Sequence, residues 1–198
     1  MKKGFTLLEI MVVLGILGIA LGIAFSMFDM SNLGWNTHNI QVELQQEARM
    51  GMEAMAKDLY LTDSGQITVD TINNIITFQV PVIIDTDETI PKDIYDTLGN
   101  IRWGAKVNDS ATYGNESYSI RYSRNTNTNQ LIRDIIDGSN TTLSSRVCDN
   151  NLQALVFDPT PALQPTTLSI TITCQRPIRQ GSTTLLTATL ISRVTFRN

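Results

Sequence analysis

The chain has 198 residues, enough for one domain with its own core plus an appendage. Hydrophobic residues make up 42% and charged residues 17%, a balance that excludes wholesale disorder. A net charge of −4 argues against a nucleic-acid partner, because neutralising phosphates requires a basic surface. The charge is also unevenly placed: Lys2 and Lys3 lead into a run, Ile10 to Phe28, that contains no ionisable residue. About 20 apolar residues are what a helix needs to cross the hydrocarbon core. The cations before this run and Asp29 after it predict a single membrane pass with a cytoplasmic N-terminus and an exported remainder.

Three processes could use such a segment: an uncleaved anchor, a secretory signal cut near Gly22-Ile23-Ala24, or a cut before the apolar run, between Gly4 and Phe5. Glu9 separates them. A carboxylate one turn into a membrane segment costs a few kcal/mol, so its presence points to a function. A secretory signal has no use for it, whereas a subunit starting at Phe5 could pair it with a neighbour's α-amine. The string Lys2-Lys3-Gly4-Phe5-Thr6-Leu7-Leu8-Glu9, followed by the apolar run, resembles the class III leader of type IV pilins and type II secretion pseudopilins. The resemblance implies a leader of residues 1–4, cleavage between Gly4 and Phe5 by a prepilin peptidase, N-methylation of Phe5, and an assembly role for Glu9. Many major pilins carry a proline at the position matched here by Ser26.

Further along, Gly18 and Gly22 form a GxxxG spacing with Gly15 one turn earlier, a face of small residues over which helices can pack closely. The stretch 29–36 is polar and contains Gly34, so the helix is expected to weaken or bend there. Helical periodicity then resumes: Leu44, Ala48, Met52, Met55 and Leu59 occupy one face. This divides the helix into a membrane and assembly half, 5–28, and an amphipathic half, 29–61, ahead of a β-rich head, 62–198. In the head, 74–80 reads as a strand, 117–122 with 130–134 as a hairpin, 152–157 with 168–174 as a second pair, and 185–196 as a last strand broken near Ser192. The expected fold class is α+β, a long N-terminal helix packed on an antiparallel sheet. The helix, the hairpin from Tyr118 to Arg133 and the terminal Thr195-Phe196-Arg197-Asn198 resemble minor pilins of the W type and minor pseudopilins of the J type.

Cys148 and Cys174 flank the second strand pair, so an exported head is expected to carry one disulfide between them. His38 is the sole histidine, and no nucleotide-binding or HExxH string occurs, so neither catalysis nor a cofactor is expected. Asp85, Asp87 and Glu88 form an acidic loop whose spacing matches no calcium loop, and no metal is assigned to it. The expected function is a minor filament subunit acting in initiation, capping or tip assembly. Its partners would be other pilin subunits, the peptidase and an inner-membrane assembly platform. Two alternatives stand beside it: a tip subunit of a secretion pseudopilus touching cargo, and a signal-anchored periplasmic enzyme or sensor.

Overall fold

The computed structural model describes residues 7–84, 94–96, 98–160, 165–179 and 181–196. Among the described residues one long helix, α1 (Leu7–Leu59), is followed by a short 3-10 turn, Ser64–Gln66, and ten strands in chain order. They are β1 (Ile67–Asp70), β2 (Ile75–Phe78), β3 (Val80–Pro81), β4 (Trp103–Gly104), β5 (Ser119–Asn125), β6 (Gln130–Ile136), β7 (Thr142–Asp149), β8 (Leu152–Thr160), β9 (Thr167–Pro177) and β10 (Leu185–Thr195). The chain divides into two compact units, Met1–Ile40 and Gln41–Asn198.

In the second unit the strands form a five-stranded sheet ordered β1-β2-β5-β6-β7, a three-stranded sheet ordered β10-β9-β8, and a small β3-β4 pair. All their pairings are antiparallel. The fold is therefore α+β as expected, but the head is split over two main sheets. Both hairpins anticipated from sequence form, as β5–β6 and β8–β9. The last strand runs unbroken through Ser192, and α1 stays helical through Gly34, where a weakening was expected. A lone helical glycine lowers helix stability by about 1 kcal/mol, which a 53-residue helix absorbs.

Asparagine shapes the turns. Asn74, Asn129, Asn140 and Asn151 all adopt positive φ, between 52° and 63°, just ahead of β2, β6, β7 and β8. Among non-glycine residues, asparagine is one of the few that enter this left-handed region readily. The β1–β2, β5–β6 and β6–β7 hairpins and the β7–β8 connection therefore reverse at one, while between β9 and β10 the positive φ falls on Gly181.

The predicted helix stripe is the core: Leu44, Ala48, Met52, Met55 and Leu59 are all buried. The sheets meet it with Ile120, Tyr122, Leu131 and Ile135 from one side and Leu168, Ile170 and Ile172 from the other sheet. Strict alternation puts every second residue of β9 inside, as a half-buried strand must. In β8 a register shift between Leu152 and Ala154 resets that alternation, so Leu152, Leu155 and Phe157 all reach the interior. Burying each large member of this core contributes about 1.5–3 kcal/mol.

Candidate assembly site

The first unit is the part of α1 up to Ile40. Its 18-residue apolar window has a mean hydropathy of 2.6 and no buried residue, and it is long enough to cross a membrane. The large apolar side chains from Leu7 to Phe28 all stand half or more exposed. A contiguous apolar surface of this size needs lipid or other helices around it.

Glu9 lies in the first turn of α1, where a carboxylate complements the positive end of the helix dipole. With Ile10, Val13 and Leu14 it lines a shallow, almost wholly apolar cleft of about 250 Å³. Gly4 and Phe5 fall outside the described residues, as does the acidic trio Asp85, Asp87 and Glu88.

At Gly15, Gly18 and Gly22 an added Cβ would meet nothing within 4 Å. Each glycine lowers helix stability by about 1 kcal/mol relative to alanine, and among the described residues no neighbour approaches these positions to offset that. At roughly 100° per residue the three glycines span about 60° of the helix, and Glu9 lies about 120–180° around from them. The carboxylate and the small-residue stripe thus lie on different sides of the helix. Ser26 Oγ donates to the Ile23 carbonyl at 2.8 Å, and Thr37 Oγ1 to the Leu33 carbonyl at 2.8 Å. These bonds satisfy hydroxyls locally and leave the helix intact at Ser26.

The second half of α1 is fixed to the head by polar contacts that the sequence did not signal. Asp58 Oδ2 accepts from Arg133 Nε at 2.7 Å and from the Tyr122 hydroxyl at 2.9 Å. Tyr122 also donates to the Ala54 carbonyl at 3.1 Å and stacks on Phe78. Burial first, and then the Asp58 carboxylate, push the Tyr122 phenol far above its ordinary range, so it stays a donor. Glu47 accepts from Asn151 at 2.9 Å and Glu43 from Arg176 at 2.7 Å. The partners of Asp58 lie 64 and 75 positions away, too far for any local pattern to reveal.

The expected Cys148–Cys174 disulfide is not formed; both are free thiols. The reason is a bulge in β7: Leu131 opposes Asp149 while Ile132 opposes Val147, leaving Cys148 as the extra residue. Asp149 meets the buried Cys174 instead, its Oδ2 accepting from Sγ at 3.2 Å. Cys148 sits near Arg146, Arg133 and Asp58, its thiol pushed up mainly by burial. Burial and the adjacent Asp149 push the Cys174 thiol well above the usual thiol range, so neither group is a reactive thiolate.

At Gly51 α1 lies close against the sheet: an added Cβ would lie 3.1 Å from both Asp149 Cβ and Leu131 Cδ2. Asp149 is itself held above its ordinary carboxyl value, first by burial and then by Glu47. Among the described residues no group of three or more His, Cys, Asp or Glu side chains is arranged to hold a metal ion. His38 is exposed on α1.

Residues 1–25 match the model of the prokaryotic N-terminal methylation motif. The match supports a pilin- or pseudopilin-like, membrane-anchored protein that assembles with related subunits after prepilin peptidase processing. No curated protein and no solved structure matches the chain significantly.

Proposed function

We propose that this chain is a structural minor subunit of a type IV pilus-like filament, without enzymatic activity of its own. The observation that carries the reading is Glu9, a carboxylate set within the exposed apolar run of α1, inside the segment that matches the methylation motif. Lys2 and Lys3 hold the N-terminus in the cytoplasm and the head is exported across the inner membrane. Hydrolysis of the Gly4–Phe5 peptide bond frees the Phe5 amine, and N-methylation leaves that amine cationic. In a bundle of such helices Glu9 pairs with the amine of a neighbouring subunit, which offsets the desolvation of both charges. The glycine stripe admits a second helix from another side. Extraction from lipid into a filament then exchanges one apolar surrounding for another, so the transfer itself is mechanically cheap.

Intact-mass measurement of the membrane-extracted protein tests the processing step. The expected mature chain begins at Phe5 with one added methyl group; a chain beginning at unmodified Met1, or at Phe25, would refute the proposal. Glu9→Val should leave insertion intact while reducing co-purification with filament subunits, and unchanged incorporation would remove the amine-pairing role.

A further inference from the structure

Four strand edges bound the two main sheets: β1, β7, β8 and β10. Three of them are blunted against pairing. β1 is four residues long and ends in Asp70. β7 has register shifts at two places and carries Arg146. β8 is bulged near Leu152 and contains Asp158 and Pro159. Short length, bulges, charges and proline are the usual devices that keep edges from accepting another strand.

β10 has almost none of them. It pairs with β9 over its full 11 residues, Leu185 to Thr195, with no shift in register. It contains no proline or glycine and one charge, Arg193. Among the described residues, no backbone hydrogen bond beyond the β9 ladder reaches it, apart from Phe196 N–H to the Thr166 carbonyl just past its end. A straight edge with a free row of N–H and C=O groups recognises an extended polypeptide strand.

We infer that β10 is a docking edge for β10 of a second copy, joining two heads by antiparallel strand addition about a twofold axis at Thr189. The edge is self-complementary in that register. The outer face opposes Thr189 to Thr189, Thr187 to Ile191 and Leu185 to Arg193, so no like charges meet. On the inner face Leu190 of the second copy lies opposite Ala188. There β10 and α1 leave a cleft of about 200 Å³, lined by Gln45, Ala48, Arg49, Ala188, Thr189 and Leu190. A leucine arriving opposite the small Ala188 fills that notch. Ile191, 66% exposed, and Leu185, 48% exposed, lose water in the same step. This contact is separate from the membrane helix and stands whether or not the filament role does.

The test uses the full chain in detergent. Residues facing each other on antiparallel strands have Cα atoms about 4.5–5.5 Å apart, within disulfide reach. Thr189→Cys should therefore give a reducible dimer under mild oxidation, while native protein and Ser145→Cys on the β7 edge do not. Thr189→Lys, at an exposed position, sets two cations against each other and should weaken the dimer about tenfold by light scattering. Mixing Thr189→Lys with Thr189→Glu should restore it, which distinguishes lost pairing from lost folding. The inference is overturned if Thr189→Cys does not cross-link, if Ser145→Cys cross-links equally, or if Thr189→Lys leaves the dimer unchanged. It is also overturned if cross-linking occurs only to a different protein.

Discussion

Asp58→Ala offers a quantitative test of how the amphipathic half of α1 is held to the head. Its carboxylate takes the 2.7 Å bond from Arg133 Nε and the 2.9 Å bond from the Tyr122 hydroxyl. The side chains of Arg133 and Asp58 are only 10% and 17% exposed. Removing one partner of a fully buried pair costs about 3–5 kcal/mol, because the other charge is left without compensation. Two features reduce that here: Asp109 remains 3.7 Å from Arg133 Nη2, and Tyr122 keeps its bond to the Ala54 carbonyl at 3.1 Å. The expected loss is therefore about 2–3 kcal/mol. With a urea m-value of about 2 kcal/mol/M, the unfolding midpoint should fall by roughly 1–1.5 M. Tryptophan fluorescence can follow the transition, since Trp103 lies in the head. Adding Arg133→Met should recover most of the loss, because apolar replacement of both partners is nearly neutral. A loss below about 0.5 kcal/mol, or a double variant weaker than the single one, would refute the assignment of Asp58 as the main polar anchor.

Met55→Ala removes a fully buried side chain and should destabilise the head by about 2–5 kcal/mol in the same urea experiment. Asp149 gives a pH signature. Its folded-state value is raised above the ordinary 3.8, with Glu47 adding to the effect of burial and the Cys174 thiol and the Asn150 N–H opposing it. The stability it contributes is complete below 3.8 and declines as pH rises through the folded value. Asp149→Asn should flatten the stability profile across that window, measured by urea titration at a series of pH values. Gly18→Leu meets open space in the chain, so thermal unfolding of the head should not change while recovery in assembled filaments falls.

Much of this was legible along the chain because local chemistry dictated it. The membrane run, Glu9 and the glycine spacing are patterns within a few turns, and the structure leaves those residues outward-facing. The stripe from Leu44 to Leu59 was readable because helical period and burial coincide. The β5–β6 turn ends at one of four asparagines with positive φ; the same signal marks the start of β7, which alternation alone did not reveal. β7 was missed because its residues do not alternate: Leu143 and Val147 are exposed, Arg146 is exposed beside them, and the strand's one fully buried residue is the polar Asp149.

The cysteine pairing failed for a specific reason. Strand pairing was inferred correctly, but a one-residue bulge between Leu131 and Ile132 decides which side chain meets Cys174, and bulges leave no dependable trace in sequence. The sequence by itself determined that the chain has an apolar helix long enough to cross a membrane, a carboxylate within it, an amphipathic continuation and antiparallel hairpins. Those features follow from period, composition and turn chemistry over short spans. Only the tertiary structure decided that the head divides into two main sheets, that Asp58 anchors Arg133 and Tyr122, and that among the described strands of those sheets β10 keeps an open, regular edge. Each depends on residues distant in sequence, brought together when burial of the core fixes the register.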